Sequence, residues 1–229
     1  MEPQPIVAWQ TSPEPCMQNV LNVSENNLMK VSELLKSNGV IGYPTETVYG
    51  LGCIPDDAEA VARIIRLKQR DDKHPMLILI PDQSFLSSIV YDVSEAAFQL
   101  MDRFWPGPLT LIFKAQTAFP ASLTGPDGSI GLRISSDPVC QDLMMRVKKP
   151  IVSTSANPGG MAPARSASEV FRYFGSQIDI ILDGGVRNRN RPSTVLDIRT
   201  TPAKLLRKGA VKSADIGQVI GAVIETDNL

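Results

Sequence analysis

The sequence predicts a single domain of mixed α/β (α+β) class, built on a twisted mixed sheet. Three observations carry this reading. Strand-like and helix-like segments intermix without strict βαβ alternation, so several strands are expected to pair antiparallel. The run Met76-Leu77-Ile78-Leu79-Ile80 is continuously apolar, as a central strand covered on both faces must be. Neither an internal repeat nor a linker divides the 229 residues, a length that suits one large domain or two small ones and buries roughly 70% of the unfolded surface.

Taken in order, residues 1–20 are punctuated by Pro3, Pro5, Pro13 and Pro15 and read as a loose arm. The domain is expected over 21–221, with 222–229 as a tail. Ser24 offers an N-cap, Leu28, Val31, Leu34 and Leu35 recur at helical spacing, and Gly39 is a natural stop. Residues 39–43 read as a short strand whose pairing ends at Pro44, which has no N–H to donate. A glycine-studded turn follows, with Gly50 and Gly52. Asp56 or Asp57 opens a second helix with Ala58, Val61, Ile64 and Ile65 on its buried face; Asp71-Asp72-Lys73 and Pro75 stop it near Lys68. Strand 76–80 comes next, closed by Pro81. Helices are expected at 82–90 and 93–104, the second opened by an Asp92/Glu95 capping box and broken by Trp105-Pro106-Gly107-Pro108. Strands 109–113 and 129–134 flank a turn at 125–128. Asp137-Pro138 pairs an N-cap with proline at the first helical position, for a helix to about 147. Strand 151–155 follows, then a Ser166/Glu169 capping box for a helix to about 174. Strands are expected at 178–183, 193–198 and 204–207, and a last helix capped by Ser213 ends at Gly221. The tally is about seven strands and six or seven helices.

Composition excludes several functions. Lys+Arg 23 against Asp+Glu 24 argues against a bulk basic nucleic-acid binder, though not against a local patch. Cys16, Cys53 and Cys140 form no CxxC and cannot all pair, which fits a reducing compartment and no zinc site. His74 is the one histidine, so multi-histidine metal sites are excluded. No apolar run reaches membrane-spanning length and no secretory signal opens the chain, so a soluble cytoplasmic protein is expected.

The polar residues that stand out fall at strand ends. In the stretch GVIGYPTETVYGLGC, residues 39–53, Thr45, Glu46 and Thr47 place two hydroxyls and a carboxylate just past a strand. A ligand site and a plain loop with a threonine cap explain this equally well. Lys68 lies on the apolar side of its helix, opposite Arg63 and Arg66. If the helix stops there, Lys68 and Arg70 can converge on one anion; otherwise the arginines form a solvated face and Lys68 snorkels. Arg133 alternates with Gly131 on one face of an apolar strand, which leaves space beside a guanidinium. Ser153-Thr154-Ser155 ends a strand in hydroxyls, and the small residues 156–160 let backbone N–H groups gather around an anion. Arg187-Asn188-Arg189-Asn190-Arg191 is a compact basic loop. No GxxxxGK[ST] loop, no GxGxxG after a strand and no Ser-His-Asp set is present. The residues alone give an anion-binding α/β pocket rich in hydroxyls and cations.

Taken together, YPTETVYGLGC, LKQR with Pro75 five residues after Arg70, WPGPLTLIF, GLRIS, STSAN, PSTVLDI and LLRKGA resemble the YrdC-like family, the threonylcarbamoyl-AMP synthases, over roughly residues 25–220. The resemblance implies a twisted mixed sheet carrying a large, positively charged concave cavity. It implies formation of threonylcarbamoyl-AMP and pyrophosphate from L-threonine, bicarbonate or CO2, and ATP, for threonylcarbamoyl-adenosine in tRNA. By the family's motifs, Lys68 and Arg70 would act on the ATP phosphates, and Asn157 and Arg207 would bind the nucleotide. Thr45, Arg133, Ser155 and Ser193 would bind threonine, with Arg133 on its carboxylate. Mg2+ is expected with ATP, without an assigned protein ligand although Glu46, Asp71 and Asp72 are near; His74 is read as structural or peripheral. Partners implied are the tRNA-modification transferase machinery, with weak RNA binding possible and no membrane. Two departures stand out: Gly159 replaces the second serine of SANxSG, and Lys208 replaces the proline of LRPG. The chain is expected to be the short form without the second domain of longer members. An RNA-binding module and a carbamoyl-transfer enzyme are the alternatives.

Overall fold

The computed structural model describes residues 17–69, 75–116, 119–188, 191–221 and 225–226. It forms one mixed sheet of eleven strands with seven α-helices among these residues, so the expected class holds while the strand count was too low. None of the helices is long and apolar enough to cross a membrane.

Three strands escaped the sequence reading. β1, Val20–Asn22, begins inside the expected arm and pairs with β8, Ile180–Asp183; Asn19 pins it by donating to the Gly175 and Ile178 carbonyls. The glycine-studded turn is itself β3, Tyr49–Gly52, antiparallel to β2, Ile41–Pro44. Glycine is a poor strand former alone, but here it is needed. A Cβ on Gly52 would lie 2.8 Å from the Tyr43 ring and 2.9 Å from Ile151. The third is β11, Glu225–Thr226, parallel to β10, Lys204–Arg207.

The helix caps explain most boundaries. Helix α1, Glu25–Lys36, is capped by Ser24, and α2, Ala58–Lys68, by Asp57, which accepts from two backbone N–H groups. Gln69 then turns left-handed at φ 50°, ending α2 where the sequence placed its end. After α3, Leu86–Ile89, helix α4, Glu95–Phe104, is capped by Ser94 and not by Asp92. Asp92 stands two residues too early for its carboxylate to reach the first free N–H groups. Asp137 caps α5, Pro138–Val147, and Ser166 caps α6, Ala167–Phe174. Ser213 is the first residue of α7, Ser213–Ile220, rather than its cap; that place is taken by Lys212 without a side-chain bond.

The strand order is β1-β8-β2-β3-β7-β4-β6-β5-β9-β10-β11, where β4 is Leu77–Leu79, β5 Leu109–Lys114, β6 Ser129–Arg133, β7 Ile151–Ser155 and β9 Thr194–Asp197. As expected of the central run, β4 lies between β6 and β7. One sheet face, carrying Ile78, Leu111, Leu132, Val152 and Leu196, is covered by α2, α4, α6 and α7 in the main core. The other face carries a second core in which α1 and α5 pack on Ile41, Tyr43, Leu79, Ile151 and Leu182. That core stops short of β5, β9 and β10.

The Tyr43 ring, fully buried between the sheet and these helices, makes Gly52 a sensitive position. Gly52→Ala is expected to lower unfolding stability by about 1–3 kcal/mol through overpacking. Denaturant titration measures it, and an unchanged midpoint at equal slope would show that Tyr43 has room to move.

Candidate active site

Where the second core stops, the bare part of that sheet face forms a cavity of about 890 Å3. Its floor is built by strand alternation. Thr110 and Ile112 from β5, Gly131 and Arg133 from β6, and Val195 from β9 point the same way, opposite to Leu109, Leu111 and Leu132 in the main core. The walls come from the Thr45–Gly50 strand end, from Ser153-Thr154-Ser155, from Ala162, Pro163 and Arg165, and from the Ser193 and Arg207 region.

The turn after β2 is closed by its own hydroxyls. Thr45 Oγ1 donates to the Val48 carbonyl at 2.6 Å, which spends its one proton. The Thr47 hydroxyl, 2.9 Å away, must then be the donor to Thr45. This turn delivers Glu46 to Arg133. The Arg133 guanidinium, 3% exposed, donates Nη1 to Glu46 Oε1, while the Ser135 hydroxyl donates to Glu46 Oε2 at 2.5 Å. Arg133 Nε, buried, has no hydrogen-bond partner among the described residues. Asp137 extends the network: its N–H donates to Ser135 Oγ, and its Oδ2 accepts from Arg187 at 2.6 Å. Arg187 lies over the Tyr49 ring, and its backbone N–H donates to the Arg165 carbonyl while Arg165 Nε donates back to the Arg187 carbonyl. Burial pushes the Tyr49 phenol up to about 12, so its hydroxyl stays a neutral donor to the Gly185 carbonyl.

Of the residues expected at the site, Thr45, Arg133, Ser155, Ser193 and Arg207 all line this one cavity. Ser193 Oγ accepts from Arg207 at 2.8 Å and bonds to Thr110 at 2.9 Å; Arg207 also donates to the Ser193 carbonyl. Lys68 and Asn157 lie behind the wall. Lys68, 4% exposed, donates to the Ser155 carbonyl at 2.5 Å and the Asn157 carbonyl at 2.9 Å. Asn157 donates to the Pro158 and Met161 carbonyls, which tightens the same loop. Gly159 returns the contact by donating its N–H to the Lys68 carbonyl at 2.7 Å, and a Cβ there would sit 3.2 Å from that oxygen. Arg70, His74, Asp71, Asp72 and Arg189 lie outside the described residues.

The sequence reading missed Thr110, Arg165 and Arg199 as cavity residues. Thr110 had a signal, since it alternates with Leu109 and Leu111 as Arg133 does with Leu132. Arg199 is neutralised by Asp127 and Asp197. The Ser129 hydroxyl, then Arg199, hold the Asp127 carboxyl down at about 2. Arg63, expected on a solvated face, pairs with Asp179, which also accepts from the Val40 N–H. The described residues contain no group of three or more His, Cys, Asp or Glu side chains placed to hold a metal.

Lys68 thus does structural work that its helical phase alone did not reveal. Lys68→Met is expected to destabilise the fold by about 1.5–3 kcal/mol, the worth of a charged hydrogen bond to buried carbonyls. Thermal and denaturant unfolding test this; unchanged stability would mean that Lys68 does not hold the loop.

The Sua5/YciO/YrdC family model, described as telomere recombination, matches residues 33–209. The threonylcarbamoyl-AMP synthase of Vibrio vulnificus is 38% identical over 186 residues, covering 80% of this chain and 99% of that protein. That of Thiobacillus denitrificans is 39% identical over 173 residues, covering 76% and 90%. The structure of P. abyssi Sua5 complexed with L-threonine superposes with a TM-score of 0.86 at 33% identity. It covers 90% of this chain, which spans only 62% of the longer Sua5 chain. E. coli YciO superposes with a TM-score of 0.77 at 30% identity, covering 84% and 95%. The chain belongs to the Sua5/YciO/YrdC family.

Proposed function

We propose that this chain is a threonylcarbamoyl-AMP synthase, joining L-threonine, bicarbonate and ATP into threonylcarbamoyl-AMP, pyrophosphate and water. The observation that carries this reading is the buried Arg133 on the floor of a hydroxyl-lined cavity. Glu46 takes Nη1, and the buried Nε has no partner among the described residues, so the guanidinium keeps donor capacity for a carboxylate. A guanidinium edge donates two parallel hydrogen bonds to such a group. Thr45, Ser155 and Ser193 surround the space where the rest of a threonine molecule would lie.

The chemistry asks for positioning and for charge stabilisation. The threonine amine takes up CO2 as a carbamate, a carbamate oxygen attacks the α-phosphorus, and pyrophosphate leaves. Negative charge builds on phosphate oxygens, so fixed cations around the cavity lower the barrier. Arg207 and Arg165 supply guanidinium groups on the cavity wall. Lys68 and Asn157 hold the loop that carries Ser155, and the phosphates are assigned to Arg70. The apolar stretch of the wall, Met76, Leu77, Ile112, Val195 and Leu206, suits a nucleoside. Magnesium would enter with ATP, because it binds readily through phosphates and waters. In this reading the product passes to a tRNA-modifying transferase in the cytoplasm.

Two outcomes follow. Purified protein is expected to convert ATP to AMP-containing product and pyrophosphate only with threonine and bicarbonate present. Threonine is expected to exceed valine by more than about a hundredfold in kcat/KM, because hydroxyls arranged to pair a substrate hydroxyl are left unpaired by valine; a pyrophosphate-release assay reads both. Equal turnover of valine would remove the hydroxyl assignment, and no turnover would remove the synthase reading.

Arg133→Lys separates a bidentate clamp from a plain charge. It is expected to weaken threonine binding by about tenfold or more, the worth of one charge-assisted bond, and to leave ATP affinity nearly unchanged. Calorimetry on each ligand decides, and unchanged threonine affinity takes Arg133 out of the amino-acid site.

A further inference from the structure

We infer that Glu46 sets the charge selectivity of the amino-acid pocket. By neutralising Arg133, it makes the pocket accept a zwitterion and refuse a plain anion. This inference rests on the synthase reading and deepens it.

The cavity faces a physical conflict. It must draw in a polyanionic nucleotide, yet its floor carries a guanidinium meant for an amino acid. A buried arginine with no counter-charge binds phosphate well, because the phosphate oxygens match its planar fork. The geometry resolves this in the protein itself. Arg133 is 3% exposed and the Glu46 side chain 8%, so their mutual interaction is little screened by water. The Glu46 carboxylate is fixed on both oxygens, by Arg133 Nη1 and by the Ser135 hydroxyl. Ser135 is in turn fixed by the Asp137 N–H. The pair therefore presents no net charge to the cavity, while Arg133 Nε lacks a partner among the described residues. An amino acid arrives with one charge of each sign and leaves the balance intact. A phosphate, or a carboxylate without an amine, leaves an uncompensated negative charge beside Glu46.

Other cations near the cavity divide along the same line. Arg187 is matched by Asp137, and Arg199 by Asp127 and Asp197. Arg165 is held differently. Its Nε donates to the uncharged Arg187 carbonyl, and no carboxylate among the described residues is paired with its side chain. Its charge is left for an anion, whereas that of Arg133 is cancelled.

A merely structural Glu46 would brace Arg133 without choosing between ligands, so selectivity is the discriminating readout. Calorimetry without ATP would measure L-threonine, 2,3-dihydroxybutanoate (threonine with its amine replaced by a hydroxyl) and orthophosphate on wild type, Glu46→Gln and Glu46→Asp. Wild type is expected to bind threonine and to show no competition from orthophosphate. In Glu46→Gln the preference for threonine over the hydroxy acid is expected to narrow by about tenfold or more, with orthophosphate now competing. Glu46→Asp keeps the charge and should restore the wild-type preference. Threonine binding with an unchanged preference in folded Glu46→Gln overturns the inference alone. Absent threonine binding to wild type removes the synthase reading, and this inference with it. Should Glu46→Gln fail to fold, the wild type still decides: orthophosphate competing with threonine overturns the inference, and its exclusion supports it.

Discussion

The cavity depends on the short reach of the second core. Helices α1 and α5 pack against each other and over β8, β2, β7 and β4, and that packing ends before β5 and β9. The opposite face is covered by the helices of the main core, so the sheet is stable without a lid on the bare part. Strand alternation then sets what lines the cavity. Each large apolar residue of β5 and β6 that enters the main core forces its neighbour upward. Thr110, Ile112, Gly131 and Arg133 occupy those upward positions. The site is thus the unburied half of a core layer, lined by residues that tolerate water or wait for a ligand.

Polar groups buried in its walls need a different account. A buried ion pair does not stabilise a fold by itself, since desolvation offsets the attraction. Arg133 with Glu46, and Lys68 with two carbonyls, are better understood as devices that fix position. Lys68 ends α2, where the free carbonyls of a helix favour a cation. It turns away from the axis to bind the Ser155–Asn157 turn, while Gly159 satisfies the Lys68 carbonyl. This two-way contact makes the end of α2 and the loop after β7 one body. A serine at position 159 would press its Cβ toward that oxygen, so the glycine found there suits this local fit.

Local chemistry made much of this legible in the sequence. The end of α2 at Lys68, the Ser24, Asp57, Asp137 and Ser166 caps, and the pairing of Gly131 with Arg133 on one strand face all follow from neighbours within a few residues. What stayed hidden is non-local. Nothing near Glu46 announces Arg133 or Ser135, 87 and 89 residues away. The phase of α2 placed Lys68 on the buried side but could not say that carbonyls awaited it there. β3 was hidden for another reason: its glycines suggest a turn, and only the Tyr43 ring lying across them shows why a strand must contain them. The family motifs supplied the cavity, and the fold shows which of those residues face it and which stand behind.

The walls of the cavity also brace one another. Arg165 and Arg187 exchange backbone and side-chain bonds, Arg187 reaches Asp137 at the start of α5, and Tyr49 on β3 accepts the Gly184 N–H while donating to the Gly185 carbonyl. One chain of contacts therefore runs from Glu46 through Ser135, Asp137 and Arg187 to Arg165. Arg133, whose charge is cancelled, and Arg165, which no carboxylate among the described residues pairs, are anchored at its two ends. A site built this way has its dipoles and charges set before substrates arrive. Adenylation of a carbamate benefits directly, because charge moves onto phosphate oxygens and any cation that had to swing into place would spend binding energy on its own reorganisation. The bracing that holds the Arg133 end neutral is continuous with the bracing that holds the Arg165 guanidinium in place. The two ends of the cavity are therefore expected to be organised together.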